Sequence, residues 1–108
     1  EQRTHFVYIL SSRLRGALYT GVTRQLALRI QQHRDGLCVH TRRYRIFRLV
    51  LVEEYRLGLD AIRREKEIKG RSRRKKIALI EGANPGWVDL LPHEPSATEL
   101  RDPSLRSG

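Results

Sequence analysis

Two short apolar runs near the N-terminus decide the fold: FVYIL at residues 6–10 and ALYTGV at residues 17–22. Both runs are rich in aromatic and β-branched residues, which favour strands. The first run ends in Ser11 and Ser12, and a loop over residues 13–16 joins it to the second. The pattern predicts a β-hairpin.

Downstream of the hairpin, the sequence predicts one strand over residues 47–55 and three helices. Each helix follows a residue with a capping side chain and ends near a glycine. The predicted helices are residues 24–34, capped by Thr23 and ended by Asp35 and Gly36; Asp60 to Lys69, ended by Gly70; and a segment after Ser72 to Glu81, ended by Gly82. The order β-β-α-β-α-α indicates an α/β fold, a small three-stranded, mostly antiparallel sheet flanked by helices.

The length of 108 residues suits one domain, and 39% hydrophobic with 31% charged residues is typical of a soluble globular protein. No apolar run reaches the roughly 20 residues that span a bilayer. The single cysteine, Cys38, cannot form an internal disulfide, which favours a cytoplasmic location. All prolines lie from residue 85 onward, so we expect a domain over residues 1–91 and a flexible tail over 92–108.

The net charge of +10 indicates a polyanionic partner. Nucleic acid is favoured over an acidic membrane, because no basic helix carries large exposed apolar residues on its opposite face.

Helical spacing places two functional groups side by side in the first predicted helix. Leu26 and Ile30 mark its buried stripe, and Arg29 and His33 lie four residues apart beside that stripe. The alternative is that both residues are solvated surface groups, with His33 favoured by the helix dipole.

Glu65 is a carboxylate that the helical pattern aims inward. Ala61, Ile62 and Ile68 define the apolar face of the second predicted helix, and Glu67 points the opposite way. A carboxylate at an apolar edge needs a compensating partner, which would be either an arginine or a divalent cation. The pattern alone does not choose between them.

Tyr8 and Tyr19 lie on the two arms of the hairpin, where tyrosine is also common for packing reasons alone. Combined with Arg29, His33 and Glu65, however, they supply a proton acceptor, a phosphate clamp and a metal ligand. These are the groups needed for metal-assisted phosphodiester hydrolysis.

These residues, with the segments around them, resemble the GIY-YIG nuclease superfamily. The matching segments are VYIL at 7–10, LYTGV at 18–22, Arg29 with His33, AIRREKEIKG at 61–70 followed by Ser72, Arg73 and the Lys75–Lys76 pair, and LIE with NPGW near 79–87. The resemblance is to the small single-domain members and covers roughly residues 6–91.

The resemblance implies a role for each residue. Tyr19 or Tyr8 would orient or deprotonate the attacking water, Arg29 would bind the scissile phosphate, and His33 would be a hydrogen-bonding partner or proton shuttle. Glu65 would hold a single Mg²⁺ or Mn²⁺, and no small-molecule cofactor is expected. Which of Tyr8, Tyr19 and His33 is the general base stays open.

Several positions extend or depart from the family pattern. Arg71 stands where many small members have tryptophan, the basic segment 41–44 is expected to be a turn that contacts the nucleic-acid backbone, and Trp87 is expected to fill the core. The residues expected to bind nucleic acid are Arg42, Arg43, Lys69, Arg73 and Lys75, with Asn84 as a further polar residue near the site.

The leading hypothesis is a metal-dependent DNA endonuclease of low sequence specificity, with a role in DNA processing or repair; RNA is not excluded as a substrate. The alternative is a nucleic-acid-binding module on the same scaffold with weak or no cleavage. A basic ribosome-associated domain would explain the charge but not the inward Glu65.

Overall fold

The computed structural model describes residues 4–92, so the predicted tail lies outside the described residues except for Pro92. The elements are β1 (His5–Ser11), β2 (Leu18–Thr23), α1 (Leu26–Arg34), α2 (Val39–Tyr44), β3 (Arg48–Tyr55), α3 (Gly58–Lys69) and α4 (Arg73–Ala83). The predicted strands, helices and fold class are confirmed, with one helix added. No helix in this part of the chain is long and apolar enough to cross a membrane.

The sheet has the order β2-β1-β3, and β1 pairs antiparallel with both neighbours. Tyr8 pairs with Gly21 on one side and Val52 on the other. The β1–β3 register shifts between Ile9 and Leu10. Because directly paired residues point to the same face of a sheet, this register determines which side chains meet on each side.

One face of the sheet packs against α3 and α4. Val7 and Ile9 of β1 are buried there with the helix residues Ala61, Ile68 and Ile80. Trp87 is fully buried in the same cluster, which confirms its predicted core role. The prediction for Ile62 is wrong, since this residue is 42% exposed.

The opposite face packs against α1. Tyr8 and Leu10 of β1 are buried with Ile30, Ile46 and Leu49, and Tyr19 and Leu26 pack on this cluster. The residues predicted to carry chemistry from β1, β2 and α1 therefore lie in one layer.

Helix α2 replaces the predicted basic turn. Its end is set by Arg45, which adopts a left-handed conformation with φ 55°, and by a hydrogen bond from the Ile46 amide to the Thr41 carbonyl at 2.8 Å. Such left-handed ends are usually glycine, so an arginine at this position gives no sequence signal.

Two helix starts differ from the prediction: the N-cap of α1 lies two residues later and that of α3 three residues earlier. Thr23 accepts the expected hydrogen bond from the Gln25 amide at 3.0 Å, but Gln25 itself is non-helical and α1 begins at Leu26. Helix α3 begins at Gly58, before Asp60, whose carboxylate lies in the first turn where the helix dipole favours it.

Helix α4 begins as predicted and ends later. Ser72 accepts a hydrogen bond from the Lys75 amide, as a capping serine should. The predicted stop at Gly82 is wrong, because the helix continues to Ala83 and Pro85 follows shortly after. A single exposed glycine near a helix end lowers helix stability without ending the helix.

Candidate active site

Tyr8 and Tyr19 lie on the α1 side of the sheet with their ring centroids 6.3 Å apart. Tyr8 is buried, whereas Tyr19 is half-buried and keeps access to solvent. The β1–β2 register explains their proximity, since Tyr8 pairs with Gly21 and Leu10 pairs with Tyr19 on the same face.

Gly21 leaves the space that the Tyr8 ring occupies. A Cβ at position 21 would overlap the hydroxyl and the adjacent ring carbon of Tyr8. Position 21 of the LYTGV segment therefore requires glycine for a steric reason, because any larger residue would displace Tyr8.

His33 is fully buried, which overturns the alternative of a solvated histidine at a helix end. Its Nε2 lies 2.8 Å from the Tyr8 hydroxyl, and its ring centroid lies 4.9 Å from that of Tyr19 in an edge-on arrangement. The last turn of α1 therefore places the His33 imidazole next to both tyrosines.

Thr41 of α2 fixes the tautomer of His33. The Thr41 hydroxyl donates its one hydrogen to the Cys38 carbonyl at 3.2 Å, and its oxygen lies 3.0 Å from His33 Nδ1. Thr41 therefore accepts a hydrogen bond from Nδ1–H, which leaves Nε2 as an acceptor for the Tyr8 hydroxyl.

Burial sets the protonation of this chain of groups. It raises the pKa of Tyr8 to about 12, although the nearby Arg29 opposes the shift. Burial also lowers the pKa of His33 to about 4, with a further contribution from the charge of Arg29. Near neutral pH, His33 is uncharged, and Tyr8 keeps its proton and donates a hydrogen bond to His33 Nε2.

Arg29 is half-buried beside both phenols. The nearby Tyr8 hydroxyl, with a smaller contribution from Tyr19, raises the pKa of Arg29, and one of the Arg29 nitrogens donates to Gln32 Oε1 at 3.1 Å. The Arg29 guanidinium is therefore a permanent positive charge beside the two tyrosines.

Sequence reasoning missed His40 and Thr41, both on α2. The His40 ring lies 6.1 Å from Tyr19, between centroids, and Thr41 is fully buried. The spacing of His40 and Tyr44 by four residues is a weak helical signal that could have indicated a shared face.

Glu65 lies on α3, which packs on the opposite face of the sheet, and its side chain is 15% exposed against 55% for Glu67. This difference confirms the predicted inward direction of Glu65. Its carboxylate pairs with Lys69 at 2.7 Å. Arg64 instead binds Glu53 and Glu67, so no arginine of residues 4–92 neutralises Glu65.

The chemistry at Glu65 fits a divalent cation with one protein ligand. Mg²⁺ keeps several waters and commonly binds through one or two carboxylates together with substrate phosphates. Residues 4–92 contain no cluster of three or more acidic, histidine or cysteine side chains that would enclose a metal. A cation here would take its other ligands from water and phosphate.

The residues expected to bind nucleic acid are spread over three helices. Arg42 and Arg43 are exposed on α2, and Lys75 is exposed on α4. Lys69 is exposed but pairs with Glu65. Arg73 donates to the carbonyls of the β1–β2 loop, at 2.8 Å to Gly16, so its guanidinium is already engaged.

Asn84 makes its contacts away from the tyrosines. Its amide nitrogen donates to the carbonyls of Val50 at 3.1 Å and Val88 at 2.8 Å, and its oxygen accepts from the Val88 amide at 3.0 Å. These bonds hold the turn after α4 against β3, which is a structural use of a residue expected near the site.

Comparison with known proteins gives the family to which this chain belongs. Residues 4–78 match the GIY-YIG catalytic domain, and the chain belongs to this family. The resemblance found in the sequence is confirmed.

The chain is similar to small proteins of the UPF0213 group. UPF0213 proteins of Staphylococcus aureus strains Mu3 and Mu50 are each 38% identical to it over 79 residues, which is 72% of this chain and 95% of the relative. The solution NMR structure of the UPF0213 protein BH0048 from Bacillus halodurans is 33% identical, with a TM-score of 0.54, and the match covers 86% of this chain and 99% of that one.

Proposed function

We propose that this protein is a divalent-metal-dependent endonuclease that hydrolyses DNA phosphodiester bonds with low sequence specificity, in DNA processing or repair. One observation carries the proposal: Tyr8, Tyr19, Arg29 and His33 meet in one layer of a GIY-YIG fold. A protein that only binds DNA has no need for this set.

Arg29 would bind the scissile phosphate. Its charge does not depend on pH in the working range, and its planar fork matches two phosphate oxygens. Because the guanidinium lies beside both phenols, a phosphate held there would be next to the proton-accepting group. The same charge would stabilise the negative charge that develops in the transition state.

Tyr19 is the better candidate for the group that orients and deprotonates the attacking water. Tyr8 is buried, has a pKa raised to about 12, and already donates to His33. Tyr19 is half-buried and makes no hydrogen bond to another side chain within residues 4–92 that meets normal geometry, so its oxygen is available to water.

His33 and Tyr8 would act as positioning residues. Neutral His33, which is held by Thr41, accepts a hydrogen bond from the Tyr8 hydroxyl. This bond keeps the Tyr8 ring in place against Gly21. The edge of the same imidazole packs on Tyr19 and limits its orientation. A pKa of about 4 makes His33 unsuited to a charge change near neutral pH.

Glu65 would hold the metal, although no hydrogen bond or ion pair within residues 4–92 joins it to the tyrosine cluster on the other face of the sheet. When bound, Mg²⁺ or Mn²⁺ would supply Lewis-acid stabilisation of charge on the phosphate oxygens. Among residues 4–92, the inward carboxylate pairs with an exposed lysine, Lys69, which can move aside.

Low sequence specificity follows from the kind of cations that the protein offers. Arg42, Arg43 and Lys75 are exposed, long and flexible, and contacts of such groups to phosphates carry no sequence information. The net charge of +10 would attract any nucleic acid, with an affinity that falls steeply with salt.

The test is to incubate the purified protein with duplex, nicked, branched and single-stranded DNAs in Mg²⁺, Mn²⁺ or EDTA. The proposal expects cleavage of at least one DNA with either metal and none in EDTA, with DNA binding retained in EDTA. Binding without cleavage under all conditions would leave the binding-module alternative in its place.

A further inference from the structure

Helix α2 carries a row of aromatic and cationic side chains that begins at the candidate active site. The Tyr19 and His40 ring centroids are 6.1 Å apart, and those of His40 and Tyr44 are 5.2 Å apart. At the far end, the Arg43 guanidinium carbon lies 5.7 Å from the Tyr44 ring centroid. We call these residues of α2, His40, Arg43 and Tyr44, the α2 row.

Core packing does not account for the α2 row. His40 and Arg43 are exposed and Tyr44 is 49% exposed, whereas the buried contact of α2 is made by Thr41. These three solvent-facing groups, whose two rings are tilted by 55° to each other, offer π faces and a planar cation to flat, partly apolar ligands.

The charge next to the row favours an anionic ligand with flat rings. Arg45, which follows Tyr44, lines a cavity of about 380 Å³ together with Ser12, Arg34, Phe47, Arg48 and Asp89. Three guanidinium groups and one carboxylate line the cavity. Asp89 forms an ion pair with Arg34 at 3.0 Å, so the net charge of the lining is positive. Phosphates joined to aromatic bases have the matching chemistry.

We propose that the α2 row stacks unpaired bases of the nucleic-acid substrate, so that the preferred substrate carries unpaired nucleotides next to the bond that is cut. This inference rests on the proposed endonuclease function and specifies its substrate class. Bases within a duplex already stack on both neighbours and present only their edges in the grooves, so their faces cannot reach the row. A flap, a gap, a loop or a single-stranded end exposes these faces.

The position of the row relates the unpaired segment to the chemistry. Because the His40 ring lies beside Tyr19, with the centroids 6.1 Å apart and the planes tilted by 39°, a base on His40 or Tyr44 would belong to a nucleotide close to the phosphate at Arg29 and Tyr19. The row therefore selects DNA structure, while reading no base edges, which is consistent with low sequence specificity.

The experiment compares two DNAs of the same length, with the same number of phosphates. One is a continuous duplex, and the other contains three unpaired nucleotides, one of them 2-aminopurine. Fluorescence anisotropy in EDTA gives the affinity for each DNA, and quenching of 2-aminopurine reports stacking. The parent protein is expected to prefer the DNA with unpaired nucleotides and to quench its 2-aminopurine.

Tyr44→Leu keeps an apolar side chain on α2 but removes the ring. Its affinity for the DNA with unpaired nucleotides should fall by roughly 5- to 150-fold, the range measured for one stacked base, and quenching should weaken. Affinity for the continuous duplex should stay near that of the parent. Tyr44→Phe should behave as the parent, and Leu57→Ala, a control for loss of an exposed apolar side chain elsewhere, should change neither affinity.

Equal affinity of the parent for both DNAs, or an equal loss for both in Tyr44→Leu, would overturn the substrate inference alone, provided that the parent still cuts DNA. A parent that binds neither DNA and cuts none would overturn the proposed function itself. The two failures are therefore distinguishable in the same set of measurements.

Discussion

Gly21 acts through absence of a side chain, because the Tyr8 phenol occupies the place where a Cβ would stand. We expect Gly21→Ala to displace Tyr8, to lower the free energy of unfolding by about 1–3 kcal/mol, as overpacking does, and to reduce DNA cleavage by roughly 10²-fold. Urea unfolding and cleavage assays check both effects.

Gly82→Ala is the matched control for Gly21→Ala. Gly82 is an exposed helical glycine with open space around its Cβ position, so alanine there should raise stability by about 0.5–1 kcal/mol and leave cleavage unchanged. If Gly21→Ala behaved like this control, the steric account of the glycine would be wrong.

Thr41 holds His33 in one tautomer through a single hydroxyl. Thr41→Val keeps the shape but leaves the buried Nδ1–H without an acceptor, which should lower the free energy of unfolding by about 1–3 kcal/mol. Nitrogen NMR shifts of His33 should show the Nδ1–H tautomer in the parent and in Thr41→Ser, and a mixture in Thr41→Val. An unchanged tautomer in Thr41→Val would contradict the positioning role.

At the scale of elements, α3 places Glu65 and Glu67 in different environments. Glu65 is shielded and pairs with Lys69, whereas Glu67 is exposed and pairs with Arg64 and Arg71. Glu65→Gln should reduce metal-dependent cleavage by orders of magnitude and abolish Mn²⁺ binding measured by paramagnetic broadening, while DNA binding in EDTA stays near the parent level.

Glu67→Gln is the matched control on the same helix. It should keep Mn²⁺ binding and cleavage and cost at most about 1 kcal/mol of stability through its exposed ion pairs. The reverse outcome, with Glu67→Gln inactive and Glu65→Gln active, would place the metal at the exposed Glu67 and contradict its assignment to Glu65.

The element scale also shows how far local sequence patterns reach. The aromatic and β-branched runs predicted the hairpin that carries the two tyrosines, and helical spacing predicted Arg29 beside His33 and the inward Glu65. The burial of His33 was not predictable, since it depends on α2, whose left-handed end at Arg45 carries no glycine signal. His40 and the buried role of Thr41 were missed for the same reason, whereas Arg43 was predicted as a nucleic-acid contact.

At the scale of the whole molecule, the buried His33 links stability to pH. In the unfolded chain its pKa is near 6.5, and burial lowers the folded value to about 4. Between these values the unfolded state binds a proton that the folded state does not, so the free energy of unfolding should fall by about 2 kcal/mol from pH 7 to pH 5. Urea unfolding at several pH values measures this slope.

His33→Gln should remove most of this pH dependence, whereas His40→Gln, which changes an exposed histidine, should keep it. Measurements stay above pH 5, because protonation of carboxylates such as Glu53, whose pKa is lowered by Arg64, adds a separate loss in more acidic solution. Equal slopes in the parent and His33→Gln would show that the histidine is not buried in its neutral form.

The most direct test of the account is the single-turnover cleavage rate of Tyr19→Phe as a function of pH, with saturating DNA and Mg²⁺. The change deletes one half-exposed hydroxyl and keeps the ring that packs on His33. Because the proposed step removes a proton from the attacking water, the parent rate should rise from pH 7 towards pH 10. Tyr19→Phe should be slower by roughly 10²- to 10⁴-fold and lose that rise. A Tyr19→Phe protein that cuts at the parent rate with the parent pH profile would contradict the assignment of Tyr19 as the proton acceptor.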